Sequence, residues 1–162
     1  MSEIGDSIQT KCLAFGDRII KLNDYLLAQA VAAHEEYRKS KLQKKGKTSS
    51  FLHQTSDISI AAVLVYLQSV SNLCNQLLRS GTSIGANNAE ATNAVSKADY
   101  RSKSYIALKE ACESLYWIEL LKRNNYIDER QYQSLYEDCE ELVKILVARC
   151  KKLDEQLNVE KR

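Results

Sequence analysis

Apolar residues recur three and four positions apart through most of the chain. The longest series runs Ile60, Val63, Leu67, Val70, Cys74, Leu77, Gly81, Ile84, Asn88, Ala91 and Val95 without a break. That spacing holds one stripe on one side of an α-helix. It predicts a helix over about residues 57–95 that contains Gly81 and Gly85, where a missing side chain lets another backbone come close. An earlier stripe of Ile8, Cys12, Phe15, Ile19, Leu22, Leu26, Ala30, Ala33 and Tyr37 predicts a helix over about 6–44. Asp6 or Ser7 would cap it, Gly16 lies inside it, and it ends before Gly46. The Ser/Thr-rich stretch from Lys47 to Ser56 reads as the connecting loop, with Ser56 or Asp57 capping the second helix.

Two more elements follow. Ser96, with Asp99 three residues on, is a helix start of the capping-box type. The stripe Tyr100, Ser104, Ala107, Ala111, Leu115 and Ile118 then predicts a helix over about 97–124. Asn124-Asn125 signals a turn and Asp128 a cap. Leu135, Cys139, Leu142, Leu146, Arg149 or Cys150, Leu153 and Leu157 carry a fourth helix over about 128–157. Four long amphipathic helices on short connections pack most simply as an antiparallel up-down-up-down four-helix bundle. An all-α single domain over 1–162 is the expectation.

Composition supports this reading. The 162 residues include no proline, the residue that breaks helix interiors. Five cysteines (Cys12, Cys74, Cys112, Cys139 and Cys150) are odd in number and lack CxxC spacing, and most fall on apolar stripes. They suit a reducing cytoplasm better than a disulfide framework. The first residues lack a basic region followed by an apolar run, so no secretory signal is expected. The apolar run from Ile58 to Leu67 is too short to span a bilayer, and no membrane partner is expected.

Net charge is only +2, and its distribution says more than its sum. Arg38, Lys39, Lys41, Lys44, Lys45 and Lys47 form a run with no acidic residue among them. They are the candidate nucleic-acid contacts, against the plainer reading of a solvated helix end. Lys97, Arg101 and Lys103 make a second candidate patch. Gly81-Thr82-Ser83-Ile84-Gly85-Ala86 superficially suggests a phosphate loop. It lacks the preceding strand and the Gly-Lys-Ser/Thr ending that such loops need, so close helix packing is the better account. The only histidines, His34 and His53, do not follow a Glu by three, so a di-metal bundle site is not expected. No nucleophile–base spacing appears. No catalytic residue, metal or cofactor is expected, and the chain is read as a non-enzyme.

The words from Gln76 to Ala91, then Ser96-Lys97-Ala98-Asp99-Tyr100, Ile106-Ala107-Leu108-Lys109-Glu110-Ala111 and Tyr116-Trp117-Ile118-Glu119-Leu120-Leu121, carry a resemblance. They resemble the four-helix-bundle family encoded in intervening sequences of bacterial 23S ribosomal RNA genes. The match is close from about Gln76 to Ile127 and loose on the first and last helices. The resemblance implies a non-enzymatic homopentamer. It also implies a kinship with the accessory protein of diversity-generating retroelements, which binds a reverse transcriptase and nucleic acid. On that basis the expected partners are other copies of the chain, RNA or DNA, and a reverse transcriptase. Arg79, Ser80, Gly81, Ser83, Gly85, Asn87 and Glu90 are the family-motif residues, expected to serve packing within or between subunits. The segment from about Val31 to Ser59 looks longer than the family's usual link, and the charge is milder than a nucleic-acid-coating protein suggests.

Overall fold

The computed structural model describes residues 3–44 and 52–159, all in or between four helices: α1 (Glu3–Lys44), α2 (Leu52–Thr92), α3 (Lys97–Arg123) and α4 (Glu129–Val159). The chain forms two compact units. The first holds residues 1–20 and 76–162, and the second residues 21–75.

In the first unit, the start of α1, the end of α2, and all of α3 and α4 form an up-down-up-down bundle. The registers show the directions. Gly81 lies against Ile19 and Gly85 against Cys12, so α1 and α2 run oppositely. Ser80 meets Ser114 and Glu90 meets Lys103 across α2 and α3. Tyr105 meets Asp154 and Tyr132 meets Glu119 across α3 and α4. Lys11 pairs with Glu141, and Arg18 with Asp138, across α1 and α4. The predicted stripes are the core: Ile8, Cys12, Phe15 and Ile19 on α1, Leu77, Ile84 and Ala91 on α2, Ala107, Ala111 and Ile118 on α3, and Leu135, Cys139, Leu142 and Leu146 on α4 are buried.

The second unit holds the rest of α1 and the first part of α2. Leu22, Leu26 and Ala30 are buried on α1, and Val70 and Cys74 on α2. The Gln29 amide donates to the Tyr25 hydroxyl one turn away. Asn23 Oδ1 is buried without a hydrogen-bond partner among the described residues. Ala33, expected on the stripe, is exposed. The side chains of Tyr37, Ile60, Val63 and Leu67 lie outside the described residues, as does the backbone of 45–51.

Several boundaries differ from the sequence reading. Helix α1 begins at Glu3, so Asp6 and Ser7 sit in its first turns and do not cap it. Helix α2 begins at Leu52, which puts Ser56 and Asp57 inside it and shortens the expected loop. Ser and Thr are only mildly poor helix formers, and neither Gly nor Pro interrupts residues 48–80. Helix α2 stops at Thr92, three residues early. The Thr92 hydroxyl and the Asn93 amide both donate to the Ala89 carbonyl (2.7 and 3.2 Å). Val95, which the spacing put on the stripe, is 93% exposed.

The caps of α3 and α4 are as the sequence predicts. Ser96 is extended, and its hydroxyl accepts from the Asp99 N–H at 3.1 Å. The Asp99 carboxylate reaches back to the Val95 N–H at 3.2 Å. Asp128 and Gln131 exchange side-chain-to-backbone bonds of 2.7 and 2.9 Å, a reciprocal capping box. Helix α3 ends at Arg123 with Asn124 as its C-cap, and the next residue, Asn125, is left-handed with a φ of 59°. The Tyr126 N–H then returns to the Leu121 carbonyl and the Asn125 N–H to that of Lys122, the Schellman arrangement.

Candidate functional site

The motif residues divide by the face of α2 on which they fall. Gly81, Ser80 and Gly85 point inward. A Cβ on Gly81 would lie 3.1 Å from Ile19 Cγ1 and 3.4 Å from Phe15 Cε1, and one on Gly85 would lie 3.3 Å from Cys12 Cβ. Helices α1 and α2 therefore approach through glycine. On the neighbouring flank, the Ser114 hydroxyl donates to the Glu110 carbonyl at 2.8 Å and lies within hydrogen-bond distance of the Ser80 hydroxyl at 2.9 Å. Small residues also supply four of the buried positions of α3, Ser104, Ala107, Ala111 and Ser114, beside Ile118 and Leu121.

Asn88 closes the inward series. It is fully buried, and both ends of its amide are used. Its N–H donates to Gln9 Oε1 at 2.6 Å, and its oxygen accepts from Arg149 Nη1 at 2.7 Å. The Arg149 guanidinium lies 5.6 Å from the centre of the Tyr100 ring. One polar cluster thus joins α1, α2, α3 and α4. The apolar spacing flagged Asn88, but Gln9 and Arg149 escaped it. Their only signal was polar character beside the stripes, which every amphipathic helix shows.

The outward motif residues have separate partners. Glu90 is exposed and paired with Lys103. Asn87 donates to the Ser83 carbonyl at 2.9 Å, a local bond within α2. Arg79 is exposed near Glu110, whose carboxyl is pushed upward by burial first and by Glu113 second, while Arg79 pulls it down. One turn on, the Trp117 indole donates to Glu113 at 3.0 Å and meets Tyr116 edge-on, with ring centres 5.0 Å apart. Tyr116 is 58% exposed.

The two expected basic patches fare differently. Arg101 pairs with Asp154, which also accepts from Tyr105, and Lys103 pairs with Glu90. The carboxylates on α2 and α4 thereby neutralise much of the patch expected at Lys97, Arg101 and Lys103. Of the first run, Lys39 is exposed on α1. Arg38, Lys41 and Lys44 lie on the α1 backbone, but their side chains are outside the described residues, and Lys45 and Lys47 are wholly outside them.

All five cysteines are free thiols, and only Cys112 is exposed. Burial raises the Cys12 thiol to about 11, against a smaller downward pull from Arg149, and the Cys139 thiol to about 12. Among the described residues no three His, Cys, Asp or Glu side chains gather as a metal ion would require. No helix among them is long and apolar enough to cross a membrane.

These features define an all-α four-helix bundle built around a glycine approach and a buried amide–guanidinium cluster. Residues 56–148 match the family described as 23S rRNA-intervening sequence protein, and the chain belongs to that family. It is also similar to a crystal structure from Bacteroides thetaiotaomicron VPI-5482, described as a protein with unknown function from the S23 ribosomal protein family. The identity is 35%, the TM-score 0.62, and the match covers 89% of this chain and 98% of that one. No curated protein matches the chain.

Proposed function

We propose that the chain is a non-enzymatic, oligomeric scaffold that binds RNA or a ribonucleoprotein through the basic run from Arg38 to Lys47. The carrying observation is how the molecule allots its cations. Lys11, Arg18, Arg101, Lys103, Lys122, Arg123 and Lys144 are each paired with a carboxylate within the first unit. The run from Arg38 to Lys47 contains no acidic residue. Glu35 and Glu36 precede the run at helical spacing from Arg38 and Lys39, but Lys41, Lys44, Lys45 and Lys47 have no acidic residue within four positions, and phosphates are their natural counter-charge. The family's name, which refers to 23S rRNA, points the same way. Assembly into a ring, with a pentamer as the expected size, would repeat a modest patch and raise avidity without new contacts.

The test is retention of structured RNA on filters across a salt series. Retention is expected at low salt and falls steeply as salt rises. Replacing Lys39 and Lys41 with Glu reduces the magnitude of the logarithmic salt slope by about two, roughly one per lost phosphate contact. Absence of retention at low salt overturns the reading.

A second reading takes the protein as an accessory subunit of a reverse transcriptase, with no direct contact to nucleic acid. The exposed Tyr116, packed edge-on against the half-buried Trp117, favours it, since aromatics are enriched at protein interfaces. A pulldown that survives nuclease and high salt supports it. Recovery of no protein partner removes its support.

A further inference from the structure

The described arginines of the first unit fall into three groups. Arg18, Arg101 and Arg123 are ion-paired. Arg79 and Arg130 lie exposed. Arg149 is neither. It is half-buried, and among the described residues no carboxylate pairs with it. Its partners are neutral: the Asn88 oxygen at 2.7 Å and the face of Tyr100. A partly desolvated guanidinium normally recruits a carboxylate, because its charge is costly to bury alone.

The cluster also fixes where Arg149 points. Asn88 cannot turn its amide, since its other end is held by Gln9 at 2.6 Å in the fully buried interior. Asn88 takes a single Nη1 proton. A guanidinium has five N–H donors in a rigid fork that matches two oxygens at once. None of the remaining Arg149 nitrogens is a buried atom lacking a partner, so they reach solvent. The charge acts on its surroundings, since it pulls down the nearby Cys12 thiol against burial. The result is a positioned, open donor fork that no carboxylate among the described residues neutralises.

We propose that Arg149, held by Asn88 and Tyr100, is the anchor of an oxyanion site that takes a phosphate group. The phosphate could be free or part of a nucleic acid, and the free ion alone suffices to test the site. The inference thus goes beyond the RNA reading and stands or falls separately from it.

The test uses the full chain, with sodium phosphate in the low millimolar range compared against sodium chloride at equal ionic strength. Two readouts are followed: the thermal midpoint, and the Nε–H resonance of Arg149 by nuclear magnetic resonance. The expected result is a saturable rise in midpoint together with a shift of that resonance. Arg149→Gln loses the rise. Asn88→Asp also loses it, because its own carboxylate occupies the fork. A general stabilisation by excluded phosphate would persist in both variants, so persistence overturns the proposal. So does an unmoved resonance in the unmodified protein, which decides the matter even where a variant fails to fold. An RNA oligonucleotide with a 5′-phosphate, compared with its 5′-hydroxyl form, identifies the source. Competition of only the phosphorylated form with inorganic phosphate shows that the site takes a nucleic-acid terminus. Equal indifference of both forms, with the free ion still bound, assigns the site to free phosphate.

Discussion

At the residue scale, three glycines on two helices face different surroundings, and a methyl group would tell them apart. Gly16 has nothing within 4 Å of where its Cβ would stand. Gly16→Ala therefore gains helix propensity without a clash and is expected to stabilise by about 0.5–1 kcal/mol. Gly85→Ala would meet Cys12 Cβ, an atom tied to the α1 backbone, so the helices must part by a few tenths of an ångström and the gain is lost. Gly81→Leu would drive into Ile19, which is fully buried and stiff at χ1. Overfilling there is expected to cost about 1–3 kcal/mol. Urea unfolding of the three variants checks the order. An unchanged midpoint for Gly81→Leu would contradict the close approach of α1 and α2.

At the element scale, the helix ends were partly legible and partly not. Ser96, Asp128 and Asn124-Asn125 announced the limits of α3 and α4, because caps and left-handed residues are local chemistry. Ser96→Ala removes the acceptor of the Asp99 N–H and is expected to cost about 1 kcal/mol. Asn125→Gly keeps the left-handed turn, whereas Asn125→Val is expected to lose about 1–2 kcal/mol to the Cβ clash at positive φ. Thermal unfolding of the pair separates backbone strain from side-chain loss. The starts of α1 and α2 were misread because Asp, Ser and Thr also fit inside a helix that begins earlier. Local chemistry alone does not choose between the two.

At the scale of the whole molecule, burial of the thiols makes stability depend on pH. Cys12 and Cys139 titrate near 9 when unfolded, but at about 11 and about 12 in the fold, chiefly because burial disfavours the thiolate. Above pH 9 the folded state holds protons that the unfolded state has lost. Stability from this source is therefore complete below 9 and falls as pH rises through 11 to 12. Urea midpoints measured from pH 8 to 11 should decline, and Cys12→Ala should flatten part of that decline. In the same fold, a thiol reagent at neutral pH should label Cys112 and leave the four buried thiols until unfolding.

How much could be read in advance follows from the range of each interaction. Helix periodicity, the absence of proline and the cap residues act within a few positions, so the order of chain residues alone determined four helices, their core faces and their family. The small residues of the motif were visible too, but their division into an inward seam and an outward flank needed the partner helices. Only the tertiary structure decided that Asn88 binds Gln9 and Arg149, residues 79 and 61 positions away along the chain. It likewise decided that Arg101 and Lys103 are quenched by Asp154 and Glu90, while no carboxylate among the described residues pairs with Arg149. Charge and hydrogen bonding act over a few ångströms of space, and spacing along a helix does not report which side chains the bundle brings within that distance.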